Sequence, residues 1–536
     1  MPPRLRLRSN EAYETFQYEN LAFQATHPDW LCTIGRLHGL ESPSAQQCRV
    51  LELGCGRGGN LVPLAALLPG SEFVGVDLAA SQVEEARGDA EALGLTNLRF
   101  EAMDIADVPR SWGEFDYIIC HGVYSWVPEL VRRRILEISA TQLAHHGVAY
   151  ISFNALPGWH VRGMLRTMLK RVVPEGDAPE MAQSARGFLS LLRRLTPENG
   201  PLAAWLWREL ALLDMMSDRY LYFEYLVEHN EAFYLDDFLN DADAAGLKYL
   251  GNADLSSAVP RQLGEAGRRE VIELCGDPLV AEQLSDYLVV RLFRRAVLCR
   301  HDATPQRHPD AEVLRAAWLA SEHPEDLDVD LGTNVELTVS ETGDSDVTAT
   351  PEASVSQVLT WVVADSGPGG VTVADALRLV GDRMERSVDE TLETHVLQAA
   401  LDMVTEGDAA AGFWQRPASA EVPERPVAPR FVRRQARQIR DSVTSILHAE
   451  VSVDPLDRAL LQVMDGELDL LGLMAVVTRL MSDGRLQIEI DDQPLSDPAQ
   501  LAELIQLKLD RFARHGMLCD ESIRTREMEP DTPAEP

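Results

Sequence analysis

The stretch Val50-Leu-Glu-Leu-Gly-Cys-Gly-Arg-Gly-Gly-Asn60 indicates how the first part of this chain folds. Residues 50–53 are mostly apolar, as in a buried strand, and a helical pattern opens near Asn60. Between them stand Gly54, Gly56 and Gly58, which let a backbone turn tightly and approach a ligand without a side-chain clash. A strand, a glycine-rich turn and a helix in this order predict a Rossmann-like unit, although several chemistries share the glycine pattern alone.

Strands and helices alternate around this stretch. Short apolar runs predict strands at 50–53, 73–76, 98–101, 115–120 and 148–152. Apolar residues at helical spacing predict intervening helices at 61–68, 81–93 and 129–143. Such alternation is typical of a parallel sheet covered by helices on both faces, so we predict an α/β fold class with a Rossmann-like domain at 1–155.

The following part of the chain has a different pattern. Apolar residues at three- and four-residue spacing predict a mostly helical domain at 156–300. Residues 301–353 are rich in Asp, Glu, Thr and Pro, which indicates an acidic connector. Within it, a hairpin is predicted where 335–339 faces 346–350.

Two smaller units complete the chain. Helices followed by a strand predict winged-helix-like units at 354–416 and 441–520, joined by a Pro-rich and basic linker at 417–440. The polar residues 521–536 are expected to form a disordered tail. Five arginines stand between Arg430 and Arg440, and we interpret them as a solvated helix face paired with acidic residues of the chain.

The charge balance restricts the class of partner. The chain of 536 residues carries 85 acidic and 49 basic residues, a net charge of −36. Such a surface repels phosphate backbones and anionic membranes, so no nucleic-acid partner is predicted. It attracts a lysine-rich or otherwise cationic substrate, but acidity that serves solubility alone explains the same composition.

The cysteines and the hydropathy pattern point to a cytoplasmic protein. The seven cysteines are odd in number and contain no C-x-x-C pair, which argues against a disulfide framework or a structural metal site. The basic N-terminus is not followed by the apolar run of a secretory signal. No uncharged apolar stretch reaches the roughly 18 residues that a membrane span needs.

Acidic residues follow three of the predicted strands. Asp77 stands 25 residues after Glu52, and its carboxylate can accept both hydroxyls of a ribose. Asp104 can accept from an adenine amino group while the Ile105 amide meets the ring, and Glu52 can hold the ammonium of a methionyl group. All these positions lie at carboxyl ends of parallel strands, where open sheets bind ligands. Helix N-capping is the alternative role for each acid.

These residues favour S-adenosylmethionine as the ligand. A nicotinamide cofactor fits less well, because Glu52 would repel its pyrophosphate, and no Gly-Lys-Ser/Thr follows the glycines as a nucleoside-triphosphate site requires. The predicted donor-binding residues are Glu52, Gly54, Cys55, Gly56, Gly58, Asn60, Asp77, Leu78, Asp104, Ile105 and His121.

The motifs resemble those of known methyltransferases. The stretch 52–58, together with Asp77 and Asp104, is similar to the first three motifs of class I methyltransferases over about a fifth of the chain. A narrower resemblance is to one bacterial family whose catalytic domain precedes a methyltransferase regulatory domain. It is carried by Gln24–Pro28, Leu51–Pro63, Phe115–Pro128, Pro157–His160, Tyr225–Leu250 and Tyr287–Cys299.

The best understood members of that family are rickettsial protein-lysine methyltransferases that modify an outer-membrane protein. The resemblance implies a seven-stranded class I domain and methyl transfer from S-adenosylmethionine. It also implies lysine side chains of a protein as acceptors, and a homodimer is one possibility for the oligomeric state.

Aromatic residues after the fourth predicted strand are candidates for the acceptor site. A lysine acceptor must lose its proton, burial among aromatic rings lowers a lysine pKa, and a cation–π contact stabilises the methylated product. We predict that Tyr124 and Trp126 line the acceptor channel and that His121 contacts donor or acceptor. Ordinary core packing is the alternative for each. Further candidates are Asn154, Trp159 and His160 as pocket lining and His27 as part of a lid.

Two other functions fit the same sequence. The C-terminal units could dock a carrier protein, in which case the acceptor is a small metabolite or a carrier-bound intermediate. Alternatively, the chain is a regulatory protein that binds S-adenosylmethionine without turnover, because no strong proton-abstracting residue is identifiable.

Overall fold

A computed structural model describes residues 16–17, 20–197, 199–200, 203–258, 263–321, 351–438, 440–490, 493–495 and 497–528 of the chain. Its largest sheet has seven strands. In chain order these are β1 (Arg49–Leu53), β2 (Glu72–Asp77), β3 (Leu98–Ala102), β4 (Phe115–Cys120), β5 (Leu143–Asn154), β6 (Leu247–Asn252) and β7 (Phe293–Arg300).

Helices cover this sheet and build the remainder of the molecule. In chain order, the α-helices of the described residues are α1 (Pro28–Leu37), α2 (Leu61–Leu67), α3 (Ala80–Ala92), α4 (Glu129–Gln142), α5 (Gly158–Val172), α6 (Ala178–Leu195), α7 (Ala203–Met215), α8 (Asp218–Tyr225), α9 (Leu235–Ala245), α10 (Gly264–Cys275), α11 (Pro278–Val289), α12 (Pro351–Asp365), α13 (Val373–Arg383), α14 (Glu390–Glu406), α15 (Arg430–Arg437), α16 (Pro455–Leu461), α17 (Leu470–Ser482), α18 (Pro498–Arg514) and α19 (Glu521–Glu527).

The strand order of the large sheet is β3-β2-β1-β4-β5-β7-β6. Strands β1 to β5 run parallel to one another, whereas β7 runs antiparallel to both β5 and β6. The chain first builds the sheet from β1 towards β3 and then returns to start β4 on the other side of β1. The loops after β1 and β4 therefore open the crevice in which such sheets bind ligands.

Alternate residues of the strands enter the two cores on opposite faces of the sheet. Val50 and Phe73 belong to the core that α1, α2 and α3 cover, whereas Leu51 and Val74 belong to the core under α4 and α9. Because successive side chains of a strand point to opposite faces, a strand buried on both sides is apolar at nearly every position. This explains why the runs at 50–53 and 73–76 predict buried strands.

Two strands of the sheet come from the region expected to form a separate helical domain. Strands β6 and β7 lie within 156–300, and β7 pairs with β5 from Ala149 to Asn154. The predicted limit at residue 155 therefore does not coincide with the edge of the sheet. The two strands are interrupted by α10 and α11, so the sequence around them has mainly helical periodicity.

The helices α5 to α8 form an insertion between β5 and α9. They have a core of their own, to which Leu165, Ala182, Leu189 and Leu210 belong. The mostly helical character expected for this part of the chain is present in these four helices.

The middle unit is built around a small antiparallel sheet, and its winged-helix character stays a prediction. A three-stranded sheet of β8 (Trp318–Ser321), β9 (Val371–Thr372) and β10 (Ala409–Gly412) packs with α12, α13 and α14. Strand β8 lies in the stretch that was expected to be a connector. The sequence did not predict it, because a single four-residue strand is too short to show a periodicity. The hairpin predicted at 335–339 and 346–350 lies outside the described residues.

The C-terminal unit combines α15 to α19 with two hairpins. The hairpins are formed by β11 (Ser442–Thr444) with β12 (Glu450–Ser452), and by β13 (Glu489–Ile490) with β14 (Gln493–Pro494). Helix α19 begins at the residue where a disordered tail was expected. It is docked because the Arg430 amide donates to Glu527 Oε2 at 2.8 Å, so the prediction of disorder is wrong for 521–527.

The arginines of α15 lie in the interface between the C-terminal unit and the sheet domain. Arg434 Nε is 2.7 Å from Asp89 Oδ1 on α3, and Gln438 also donates to Asp89. Arg433 is only 2% exposed. The expected pairing with acidic residues is therefore present at Arg434, but the helix face is not solvated at Arg433, because α15 packs against the rest of the protein.

Two observations concern the properties from which a cytoplasmic location was predicted: the state of the cysteines and the hydropathy of the helices. All seven cysteines are free thiols, and six are buried. Within the described ranges, no helix combines the length and the apolar character that crossing a membrane requires.

Candidate active site

The glycine-rich turn after β1 has the backbone that its composition predicts. Gly54, Gly56 and Gly58 have φ angles of +83°, +51° and +74°, in the region that favours glycine. A Cβ atom on Gly54 would lie 2.3 Å from Val123 Cγ2, and one on Gly58 would lie 2.6 Å from Phe100 Cζ. The turn therefore needs glycine for both conformation and space.

Asp77 at the end of β2 is hydrogen-bonded to this turn. Its Oδ2 accepts from the Gly56 amide at 2.8 Å, and its Oδ1 accepts from the Ala79 amide at 2.9 Å. The intervening Leu78 is 52% exposed, although it is a large apolar side chain. The structure thus brings a carboxylate, a glycine turn and an accessible apolar surface together, as a ribose with its attached base requires.

Glu52 on β1 has one satisfied and one unsatisfied carboxyl oxygen. Its side chain is buried, and Oε1 accepts from Asn60 Nδ2 at 2.9 Å. Oε2 is buried without a hydrogen-bond partner. The pKa of the Glu52 carboxyl is raised to about 8, mainly because the group is buried; the bond from Asn60 opposes this shift and the charge of Asp77 adds to it. A buried carboxyl oxygen without a partner fits a cationic ligand group such as an ammonium.

Asp104 and Ile105 lie beyond the end of β3 at the same edge of the sheet. Asp77 pairs with Ala102, and the Met103 amide donates to Asp77 O at 2.9 Å. Asp104 Oδ1 accepts from the Ala106 amide, so it caps the short helical turn that follows. Ile105 is buried in the core under α4. The described contacts of Asp104 are thus those of an N-cap, and its predicted contact with the adenine amino group of the donor stays a prediction.

His121 follows β4 and its imidazole is enclosed by aromatic rings. Its Nδ1 is 2.8 Å from Tyr150 Oη, and its ring stacks on Phe23 with centroids 3.7 Å apart. The pKa of His121 is lowered to about 3, mainly by burial and to a smaller extent by the charge of Arg295. The imidazole is therefore neutral at physiological pH and acts as a hydrogen-bonding and stacking group, not as a carrier of charge.

Tyr124 lies in the core under α4 and α9. It is 1% exposed and contacts the rings of Phe153, Phe233 and Phe238. The short helical turn Tyr124–Trp126 places the Tyr124 side chain in the core under α4 and α9 and the Trp126 side chain against the core of the helical insertion. These contacts are those of core packing, the alternative given for Tyr124, and its role as a channel wall stays a prediction.

Trp126 and Trp159 meet next to the helical insertion. Trp126 is half-buried, and the two rings are edge to face with centroids 6.2 Å apart. Trp159 Nε1 is buried without a hydrogen-bond partner. The guanidinium of Arg162 lies 5.6 Å from the centroid of the Trp159 ring. The structure thus brings together two of the residues predicted at the acceptor side.

Asn154 and His160 join the end of β5 to the segment before α9. Asn154 Nδ2 donates to Asn230 Oδ1 at 3.1 Å, and Asn154 is buried. His160 is exposed, and its Nε2 is 2.8 Å from Tyr234 Oη. An open groove of about 630 Å³ runs from this point along α5, lined by Trp159, His160, Gly163, Met164, Thr167, Met168, Arg171 and Val172.

The donor side contains residues that sequence reasoning did not assign. Asn20 Oδ1 accepts from the Gly59 amide at 2.6 Å, and the Phe23 amide donates to Asn60 Oδ1 at 3.2 Å. His448 of the C-terminal unit lies 2.7 Å from the same Asn60 oxygen. The pattern of the sequence contains no signal for a contact between positions 388 apart.

His27 has contacts of a different kind from those of a lid. Its Nδ1 accepts from the Asp29 amide at the start of α1, and its ring stacks on Trp414 with centroids 5.6 Å apart. These contacts connect α1 to the middle unit. A role of His27 above the donor stays a prediction.

Three family models match separate parts of this chain. Residues 44–152 match a methyltransferase domain, residues 217–300 a predicted methyltransferase regulatory domain, and residues 424–517 the C-terminal winged helix domain of PKMT. The chain belongs to the class I methyltransferases. The fold and the family that the motifs predict are thereby confirmed.

Relatives of this methyltransferase are found in Rickettsia prowazekii. An uncharacterized protein, RP789, is 28% identical over 521 residues, which cover 94% of this chain and 93% of the relative. A second uncharacterized protein, RP028, is 35% identical over 241 residues, which cover 45% of this chain and 96% of the relative.

A solved structure matches almost the whole methyltransferase. PKMT2 from Rickettsia typhi, in complex with AdoHcy, superposes with a TM-score of 0.80 and 25% sequence identity. The match covers 94% of this chain and 99% of that protein. The likeness therefore extends over the sheet domain, the helical insertion, the middle unit and the C-terminal winged-helix unit.

Proposed function

We propose that this methyltransferase transfers methyl groups from S-adenosylmethionine to lysine side chains of a protein. The observation that carries the proposal is the match to PKMT2 over 94% of the chain, the middle and C-terminal units included. A likeness limited to the sheet domain would support methyl transfer without indicating a class of acceptor, because that fold serves many substrates.

The donor-side residues have the chemistry that S-adenosylmethionine requires. Asp77 would accept the ribose hydroxyls, and Leu78 presents an exposed apolar side chain beside it. The unpartnered Oε2 of Glu52 would accept from the donor's ammonium. When bound, the donor supplies an activated methyl group on its sulfonium. The chain's contribution is to orient that group and exclude water.

The acceptor side is proposed to lie at Trp126 and Trp159. Paired indole rings disfavour a protonated amine by excluding water, and afterwards stabilise a methylated ammonium by cation–π attraction. Neutral His121 and Asn154 would supply hydrogen bonds near them. The net charge of −36 favours a cationic protein substrate at long range.

The proposal is tested by following label from methyl-labelled S-adenosylmethionine into a bacterial lysate. Half of the lysate is first treated to acetylate its lysine amines. We expect labelled protein bands in the untreated half, their loss after acetylation, and methyl-lysines in the hydrolysate. Label on small molecules alone, or on a different amino acid after hydrolysis, would overturn the lysine assignment.

A further inference from the structure

The C-terminal winged-helix unit reaches into the donor side of the sheet domain. His448 stands in the turn of the hairpin formed by β11 and β12, and its Nε2 is 2.7 Å from Asn60 Oδ1. The His448 side chain is fully buried. A residue near the end of the chain thus contacts the asparagine that follows the glycine-rich turn.

The neighbours of Asn60 determine the direction of this hydrogen bond. The Phe23 amide can only donate, so the Asn60 atom that it contacts is the carbonyl oxygen. Asn60 Nδ2 then points to Glu52 Oε1, at 2.9 Å. His448 therefore donates through Nε2, and the Asn60 amide is held between the winged helix and the Glu52 carboxyl group.

The backbone of His448 is in an unfavourable conformation. Its φ of +59° lies in the left-handed region, which is unfavourable for a residue other than glycine. The turn is closed by bonds from the His448 amide to Ser445 O and from the Ser445 amide to Ala449 O. Such strain persists where surrounding contacts hold it, and it is concentrated at functional sites.

The same hairpin holds the N-terminal segment next to the donor side. The Ala22 amide donates to Glu450 Oε1 at 2.9 Å, and Gln24 Nε2 lies 3.4 Å from Leu447 O. Phe23, between these two residues, stacks on His121. The hairpin therefore contacts the donor side both through Asn60 and through the segment that packs on His121.

We propose that His448 is a positioning residue of the donor site, which acts through Asn60 to orient the Glu52 carboxyl group. Donor binding then depends on the docked winged-helix unit, although that unit belongs to the other end of the chain. The inference rests on the donor half of the proposed function and is independent of the acceptor.

The test is the affinity of the full-length chain for S-adenosylhomocysteine, measured by calorimetry. In His448→Gly, glycine relieves the strained backbone and removes the imidazole. Loss of one oriented hydrogen bond predicts a Kd about tenfold higher. The buried imidazole also contributes packing, so thermal unfolding is measured in parallel to confirm that the variant is folded at the temperature of the titration. His448→Gln places an amide donor near the former Nε2 and is expected to restore most of the affinity.

The chain offers a matched control. Glu385 in the middle unit is exposed and has a φ of +53°, so Glu385→Gly gives the same backbone relief away from the donor side. Its Kd is expected to equal that of the parent. Asn60→Ala completes a double-mutant cycle, in which His448→Gly should cause no further loss, because the imidazole acts through Asn60.

Two results would overturn the inference. One is a His448→Gly variant that binds S-adenosylhomocysteine as tightly as the parent. The other is a double variant whose loss equals the sum of the single losses. A parent chain that fails to bind the compound at all would instead contradict the donor half of the proposed function.

Discussion

Asp77 and Glu52 flank the same glycine turn but have different surroundings. Asp77 accepts two backbone amides, which stabilise its charged form. Glu52 is buried with one oxygen unpartnered, and its pKa is raised to about 8. The hydrogen bonds that orient the Asp77 carboxylate are therefore in place before the donor binds. The Glu52 carboxyl group is largely protonated at pH 7 and ionises when a cation binds beside it.

Removal of the Asp77 carboxylate is expected to weaken donor binding strongly. Hydrogen bonds to a charged group contribute about 1.5–3 kcal/mol each, so Asp77→Ala should raise the Kd for S-adenosylmethionine by about a hundredfold. Calorimetry measures this directly. The exposed Glu84 on α3 provides the control Glu84→Ala, which should leave the Kd unchanged. An unaltered Kd in Asp77→Ala would contradict the assigned donor site.

Proton release on donor binding is expected from Glu52. In the donor-free protein its pKa is about 8, so the carboxyl group is largely protonated at pH 7, and an ammonium partner favours the ionised form. Calorimetry at pH 7 in two buffers of different ionisation enthalpy should show release of up to about one proton. Glu52→Gln should lose most of this release and bind more weakly.

The same shift makes a stability prediction with a defined sign. The folded protein holds the Glu52 proton more tightly than the unfolded chain does, since the pKa rises from 4.5 to about 8. This contribution to stability is complete below about pH 4.5 and is lost as the pH rises through about 8. Donor-free Glu52→Gln should therefore gain in Tm over the parent as the pH rises from about 4.5 to about 8, the window that these two pKa values set. A constant difference in Tm across that range would contradict the shift.

Neighbouring aromatic residues are expected to respond differently to truncation. Tyr124 is a core residue, so Tyr124→Ala should destabilise the protein by about 3–5 kcal/mol, whereas Tyr124→Phe should keep both stability and rate. Trp126→Ala should lower the rate of methyl transfer about tenfold with a smaller change in stability. Denaturant unfolding and initial rates separate the two effects. An inactive but stable Tyr124→Phe would contradict the core assignment.

At the scale of elements, the glycine turn combines two requirements that substitutions can separate. Gly58 and Gly94 have similar φ angles, +74° and +67°, but a Cβ would clash with Phe100 only at Gly58. Both alanine variants should lose about 1–2 kcal/mol from the backbone conformation. Gly58→Ala should lose more in denaturant unfolding and also bind the donor more weakly. Equal losses and equal Kd values would show that space at the turn is unimportant.

Contacts between elements also explain why the expected boundary at residue 155 differs from the observed sheet. Strand β7 is antiparallel between β5 and β6, and it is reached only after the insertion and the helices α9 to α11. Hydrophobic periodicity identifies single strands and helices, but it contains no information about which strands pair. The pairing of β7 with β5 depends on the packing of the whole domain.

At the scale of the molecule, donor binding should stabilise parts that are distant in sequence. A ligand at a hundred times its Kd stabilises the folded state by about 2.7 kcal/mol. If the hairpin of β11 and β12 is held through Asn60, S-adenosylhomocysteine should slow amide exchange in Ser442–Ser452. Helix α13 in the middle unit, Val373–Arg383, serves as the reference with little change. Slower exchange confined to residues before 155 would contradict this coupling.

The sequence alone identified the parts of the site whose chemistry is local. The glycines at 54, 56 and 58 are required by backbone angles within one turn, and Asp77 reaches that turn because parallel strands end at one edge of the sheet. Such features depend on short-range geometry, which residue types and spacing already encode.

Tertiary structure decided which side chains face the core and which distant residues meet. Tyr124 and Trp126 are two positions apart, yet Tyr124 packs in the core and Trp126 faces the helical insertion. His448 and Asn60 are 388 positions apart and share a hydrogen bond. These outcomes depend on how α9, the insertion and the winged-helix unit dock on the sheet, and docking is a property of complementary surfaces, which local patterns do not contain.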